Sequence, residues 1–283
     1  MGERSGAEVS ISQFEVNGIR LNVLVEGEGE PVVLLHGWPD SHLVWRKQVP
    51  ALVAAGRRVI APDLRGFGES DKPEGVEPYA IPHLLADLQA LVDALGIEGF
   101  ALVGHDWGAA LAWAFASLIP GRVERLAAIS VGHPSAFRDA DFEQRRRSWY
   151  MLLFTHPIAE QVFPRDDWML LRAFGACPDF ERYVQDLSRP GALTASLGVY
   201  RANVPPEALF LGEPLQLPPV EVPVLGVWSS GDMALTESQM TRSAQYVAGP
   251  WRYERVEGCG HWIPIEAAER LNPMLVDFLS GSG

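Results

Sequence analysis

The sequence predicts an α/β protein: a mostly parallel eight-stranded sheet flanked by helices, with a helical insertion ahead of the last two strands. Short runs rich in Val, Ile and Leu recur along the chain, and amphipathic stretches separate most of them. Between about residues 136 and 216 that rhythm stops, and it resumes afterwards. With 283 residues and 47% hydrophobic content the chain is long and apolar enough to bury a large core.

Taken in order, VSISQFEVN and IRLNVLVEG alternate apolar and polar residues and predict an antiparallel hairpin. PVVLLHG, RRVIAPD, FALVGHD and LAAISVG are near-continuous apolar runs, the pattern of strands covered on both faces. HLLADLQALVDALG carries apolar residues at three-to-four spacing and ends on Gly, so it reads as a helix. DFEQRRRSWYMLLF, IAEQVF, DDWMLLRAF and DFERYVQDL then read as helical segments of the insertion. After LQLPP come the strands VPVLGVW and WRYERVEG, and a closing helix, EAAERLNPMLVDFL, that Pro273 is expected to interrupt. The division expected is a core of residues 1–135 and 217–283 and a helical cap of residues 136–216. In open α/β sheets such an excursion tends to lie over the carboxyl ends of the strands, where ligands bind. The run Arg145, Arg146, Arg147 within it reads as a solvated helix face.

A formal charge of −13 and a pI near 5.0 argue against nucleic acid or an anionic membrane as partner, since a phosphate-binding surface needs clustered cations. MGERSGAEVS has no apolar leader core, and AALAWAFASLIP is too short to span a bilayer, so a cytoplasmic protein is expected, as monomer or homodimer. Cys177 and Cys259 stand in no metal-ligand spacing, and neither a metal nor another cofactor is expected.

VGHDWGA, residues 103–109, has the Gly-x-nucleophile-x-Gly frame of a hydrolase elbow, with Asp106 at the reacting position. FALVG reads as strand and GAALAWAFASLI as helix, so Asp106 falls on the sharp turn between them, beside a helix N-terminus that favours an ionised carboxylate. The pentapeptide alone is a weak signal, equally readable as an N-cap Asp between packing glycines. It gains weight from its companions: Asp232 follows the strand VPVLGVW, and His261 follows the last strand in a Gly-flanked loop, which completes the order nucleophile, acid, histidine. HGWPD, residues 36–40, follows another strand, and its turn can aim the N–H of Trp38 at the same point as that of Trp107, making an oxyanion hole. That turn also admits a cis Trp38–Pro39 bond. His105 is expected to point away from Asp106, and His42 and His83 to serve as surface or core residues.

A serine attacks acyl carbon. A carboxylate, with a reference pKa of ~3.9, suits displacement at saturated carbon and yields an ester that a His-activated water can hydrolyse. Asp106 therefore implies an alkylating substrate, an epoxide or an alkyl halide. A halide needs N–H donors. An opening epoxide needs proton donors, and phenols with a reference pKa of ~10 can supply them; the insertion holds Tyr150, Tyr183 and Tyr200.

HGWPD, DLRGFGESDKP, GHDWGAALAW, GDMAL and GHWIPIE together resemble the epoxide hydrolase branch of the α/β-hydrolases, at both ends of the chain. SWYMLLFTHPIAE and LGVYRANVPP resemble the family segments that carry its two ring-opening tyrosines, which fall on Tyr150 and Tyr200; Tyr183 matches neither and reads as packing. The resemblance implies the α/β-hydrolase fold, attack by Asp106, help to the oxygen from Tyr150 and Tyr200, and hydrolysis to a diol by His261 with Asp232. His36, His133, Trp149 and Phe154 are the further residues expected to contact substrate. Gly198 and Val199 depart from the usual Asn and Trp, which predicts a roomier pocket, and Asp40 replaces the commoner Glu. A haloalkane dehalogenase would use the same triad, with Trp107 and either Trp149 or Trp168 holding halide; Trp38 in place of the usual Asn, and the tyrosine pair, count against it. A non-catalytic ligand-binding protein on this scaffold would predict a broken triad.

Overall fold

The computed structural model of the chain describes residues 10–138, 141–174, 178–207 and 216–281, so Cys177 lies outside the described residues. Its strands are β1 (Ser10–Val16), β2 (Ile19–Glu26), β3 (Glu30–Leu35), β4 (Arg57–Pro62), β5 (Phe100–His105), β6 (Val123–Ile129), β7 (Val224–Ser229) and β8 (Trp251–Val256). They form one sheet in the order β1-β2-β4-β3-β5-β6-β7-β8. β1 pairs antiparallel with β2, and β2 with β4; every later pairing is parallel.

The pattern of apolar residues explains this order. Every residue of β5 and β7 is buried, which suits strands covered by helices on both faces, while β1 at the edge alternates exposed and partly covered positions. Val33, Leu34, Leu102, Val103, Leu126 and Leu225 are wholly inaccessible, each side chain worth roughly 1.5–3 kcal/mol of burial.

Helices α1 (Gln48–Ala54), α2 (Ile81–Ala94) and α3 (Trp107–Leu118) connect the strands of the first half. Seven more, α4 (Pro134–Arg138), α5 (Phe142–Arg147), α6 (Trp149–Thr155), α7 (Ala159–Val162), α8 (Met169–Ala173), α9 (Phe180–Leu187) and α10 (Ala192–Asn203), lie between β6 and β7, with no strand among the described residues there. α11 (Glu237–Thr241), α12 (Ile263–Glu266) and α13 (Ala268–Leu279) complete the chain. Pro273 does not interrupt α13. The N–H it lacks would have bonded Glu269, an exposed position where water can serve that carbonyl instead.

Three features position the site. The turns after β3 and β5 and the loops after β7 and β8 all leave the same edge of the parallel sheet. Asp63, after β4, underpins the first turn: its carboxylate accepts hydrogen bonds from the backbone N–H and Nδ1 of His42, both at Oδ1, and from Asn22 at Oδ2. Burial opposes that charge, but the His42 hydrogen bond and charge hold the Asp63 carboxyl well below the usual range. The helices of residues 134–203 meet that sheet edge through buried polar contacts. Asp40 accepts from Arg182 Nη2 at 2.5 Å and from the Tyr183 hydroxyl at 2.8 Å, so Tyr183 fastens α9 to the HGWPD turn.

Among the described residues no helix is long and apolar enough to cross a membrane.

Candidate active site

Asp106 sits between β5 and α3 at φ 55°, ψ −123°, a conformation that costs energy for any side chain. Close packing enforces it. A Cβ on Gly108 would lie 2.0 Å from the Leu35 carbonyl oxygen, and one on Gly104 would lie 2.3 Å from the Gly108 carbonyl oxygen. Gly37 lies equally close on the other side, where a Cβ would lie 2.2 Å from Asp106 Oδ1. Gly108→Ala should therefore displace the elbow from β3, at a cost of about 1–3 kcal/mol; a urea midpoint equal to that of the wild-type protein would contradict this.

The two carboxylate oxygens of Asp106 face different partners. Oδ1 accepts the Trp38 N–H at 2.8 Å, and the carboxylate also takes a backbone hydrogen bond from Trp107. Oδ2 lies 3.4 Å from His261 Nε2. Burial pushes the Asp106 pKa up, but the hydrogen bond and charge of His261 prevail and hold it below the ordinary value.

His261 is fixed at both ends. Its Nδ1 is 2.8 Å from Asp232 Oδ2, and its carbonyl accepts from His105 Nε2 at 2.9 Å and from Ser130 Oγ at 3.0 Å. Glu266 caps the loop by accepting the N–H groups of Gly260 and Trp262 on either side. Burial lowers the His261 pKa, yet the carboxylates of Asp232 and Asp106 raise it to about 10. Asp232 turns its other oxygen, Oδ1, to the N–H groups of Ala234 and Leu235, both at 2.9 Å.

Tyr150 on α6 and Tyr200 on α10 face this triad from the opposite side, with ring centroids 6.4 Å apart. Both are buried, and burial followed by the Asp106 charge raises their pKa values well above 10, so both phenols keep their protons. With Asp106 they border a cavity of about 130 Å³ whose other walls include Ile81, Val131, Phe137, Met151 and Leu235. A smaller space on the His261 side is bordered by Trp38, Phe154 and Phe174.

The remaining expected contacts divide. Phe154 is fully buried beside this space, 5.2 Å from the Tyr150 ring centroid. Trp149 is 55% exposed, stacks on Phe174 and borders an outer cleft with Arg146 and Met233 instead of the Asp106 cavity. His36 does not reach the cavity: Nδ1 donates to the Gly37 carbonyl, Nε2 accepts the Leu64 N–H, and burial lowers its pKa. His133 is likewise structural, stacked on Tyr246 and accepting the Ser135 N–H, with its pKa lowered to about 4 by burial. Nor does Gly198 open the pocket. The ring of Tyr79 fills the room, 2.5 Å from where a Cβ would stand. Arg147 departs from the solvated face expected of its run, as its Nη1 donates to the Asp232 carbonyl at 2.7 Å. His105, Ser130 and Glu266 were not expected at the site; His105 and Glu266 stood within the motifs GHDWGAALAW and GHWIPIE, but nothing in those motifs assigned them a contact with the His261 loop. Among the described residues no cluster of His, Cys, Asp or Glu side chains is arranged to hold a metal.

The profile of the α/β-hydrolase fold family matches residues 30–268. Epoxide hydrolase A of Mycobacterium tuberculosis is 33% identical, over 94% of this chain and 96% of its own length. The crystal structure of the Bacillus megaterium epoxide hydrolase with an inhibitor superposes with a TM-score of 0.85 at 28% identity, covering 95% of this chain and all of that one. A structure from work on epoxide hydrolases in hot-environment metagenomes gives 0.86 at 30% identity, over 97% and 99%. The chain belongs to the α/β-hydrolase fold family and, within it, to the epoxide hydrolase branch.

Proposed function

We propose that this protein hydrolyses epoxides to vicinal diols through an ester formed on Asp106. The observation that carries this reading is the facing of a buried carboxylate by two buried phenols across an apolar cavity.

Oδ2 is the attacking oxygen, because Oδ1 is held by Trp38. As Oδ2 bonds to an epoxide carbon, the carbon–oxygen bond breaks and the departing oxygen takes a proton from Tyr150 or Tyr200. Desolvation keeps both phenols protonated until the departing alkoxide, a stronger base, develops beside them. Alkylation also removes the negative charge of Asp106, one of the two carboxylates that raise the His261 pKa. His261 then surrenders its proton, which restores the tyrosine, and becomes the base for water. Hydroxide adds to Cγ of Asp106, the oxyanion forms on Oδ1 under the N–H groups of Trp38 and Trp107, and collapse returns the diol and the carboxylate. Asp232 holds the His261 ring in place throughout and stabilises its positive charge whenever Nε2 is protonated.

The sign of the pH dependence follows. Hydrolysis of the ester should speed up as pH rises through the His261 pKa of the alkylated enzyme, which lies below the value of about 10 in the resting site. Ring opening should vary little across the neutral range, since Asp106 is ionised and both tyrosines protonated.

Single turnover of styrene oxide in heavy-oxygen water tests the route. The label should enter the Asp106 carboxylate and appear in the peptide that contains it. Diol formation with Asp106 unlabelled would exclude the ester. Halide displacement is disfavoured by the indoles: Trp38 Nε1 donates to Ser196 at 3.3 Å, the Trp107 side chain hydrogen-bonds Tyr200, and neither Trp149 nor Trp168 borders the Asp106 cavity.

A further inference from the structure

One group of buried polar contacts lies outside the chemistry above. Helix α5 faces the loop that carries Asp232, about ninety residues further along the chain, and two of its side chains bond that loop's backbone. Gln144 is 1% exposed and uses both ends of its amide. Its Nε2 donates to the Ala234 carbonyl at 2.8 Å, and its Oε1 accepts the N–H of Thr236 at 2.8 Å and the Thr236 hydroxyl at 3.0 Å. Arg147, one turn on, donates through Nη1 to the carbonyls of Asp232 at 2.7 Å and Leu235 at 3.2 Å, while Glu143 holds its Nε at 3.0 Å. Together the two side chains engage the backbone of residues 232, 234, 235 and 236.

We infer that Gln144 and Arg147 are positioning residues for the acid of the triad, clamping the Asp232 loop from the helical insertion so that its carboxylate meets His261. The inference rests on the triad roles proposed above. An ordinary packing contact would not need a buried amide satisfied at both ends by one short loop. Burying such a group is unfavourable unless every bond is made, so the geometry is specified tightly. The loop has internal bonds to the Asp232 carboxylate, but those fix only its local turn. The start of the loop is tied to the His261 side by the Gly231 N–H, which donates to the Cys259 carbonyl at 3.1 Å, and by Ser229 Oγ, which donates to the Gly260 carbonyl; Gln144 and Arg147 hold the residues that follow, 232 to 236, from the opposite side. Tyr150 depends less on the clamp, because Phe154, Phe174 and Tyr200 surround its ring at 5.2, 5.3 and 6.4 Å. Loosening the clamp should thus weaken ester hydrolysis, which uses Asp232 through His261, more than ring opening, which uses Asp106 and the phenols.

The test is rapid-quench single turnover with styrene oxide on the wild-type protein, Arg147→Met and Gln144→Met, following the alkylated Asp106 peptide by mass spectrometry. Ester hydrolysis should fall about tenfold or more in each variant while alkylation changes less than about threefold, on the lower side of what a general base contributes. A second readout separates positioning from instability. The titratable groups facing His261 are Asp106, Asp232 and His105, whose ring lies 4.8 Å from that of His261, with Tyr150 and Tyr200 across the cavity. Once Asp106 is esterified, Asp232 is the carboxylate left to raise the His261 pKa, so its displacement should move the acid limb of the hydrolysis profile to lower pH. A smaller folded fraction moves no limb. If Gln144→Met does not fold, Arg147→Met decides, because Arg147 is partly exposed and its loss leaves no buried amide unpaired. Unchanged hydrolysis and an unmoved limb, with a wild-type adduct present, would overturn the clamp alone. Absence of any adduct in the wild-type protein would overturn the ester route and the clamp with it.

Discussion

His261→Gln should fold, react once with an epoxide and stop. Gln keeps a polar side chain of similar reach but offers no base, so the ester on Asp106 should form at close to the wild-type rate and persist. Hydrolysis should slow by on the order of 10²–10⁴-fold, the usual contribution of a positioned general base. Intact-protein mass spectrometry after mixing with styrene oxide should show one stoichiometric adduct, localised to the peptide with Asp106. A variant that still turns over, or that carries no adduct, would contradict the roles assigned to His261 and Asp106. The variant also isolates ring opening, because the observed rate of adduct formation is then that step alone.

The second large effect is the loss of both phenols. Tyr150→Phe and Tyr200→Phe singly should each leave one proton donor 6.4 Å, centroid to centroid, from the missing one, so partial activity is expected. Together they should lower ring opening by roughly 10²–10⁴-fold, with the ester hydrolysis that follows unaffected. The rings stay, so the aromatic contacts with Phe154 and Trp107 survive, and stability should fall by little more than the lost Trp107–Tyr200 hydrogen bond, about 0.5–1.5 kcal/mol. A bromoalkane supplies the control, since its leaving group needs no proton. Bromide release that exceeds diol formation in the wild-type protein, and survives loss of both hydroxyls, would indicate a dehalogenase.

The parts of this molecule that could be read from sequence are those set by local pattern. Continuous apolar runs mark β3 to β7 because strands covered on both faces need no polar positions, and the alternation of β1 and β2 marks an edge. The meeting of Asp106, Asp232 and His261 was legible because Asp106 directly follows β5 and the other two stand in the loops just after β7 and β8, and a parallel sheet brings the ends of its strands to one edge. Tyr150 and Tyr200 had no such signal; only resemblance singled them out from Tyr183, whose hydroxyl is spent on Asp40. His36 and His133 were misplaced because their fates depend on distant backbone, the Leu64 N–H for one and the Tyr246 ring for the other. Gln144 and Arg147 were invisible for the same reason. Their partners come from residues 232–236, and no local periodicity announces a meeting between segments so far apart. Gly198 misled in the opposite direction, since a missing side chain implies space only when no neighbour such as Tyr79 occupies it.

Two of the attachments of the helical insertion have a mechanical consequence. α5 grips the loop of Asp232, and α9 grips the turn of Trp38 through Asp40. Lifting those helices by the length of a hydrogen bond would pull the acid from the histidine on one side and loosen the oxyanion donors on the other. Under the roles proposed for Asp232 and Trp38, a wide gape would interrupt catalysis while it lasts, and a diol too bulky to leave by small side-chain movements would have to depart while these contacts are broken.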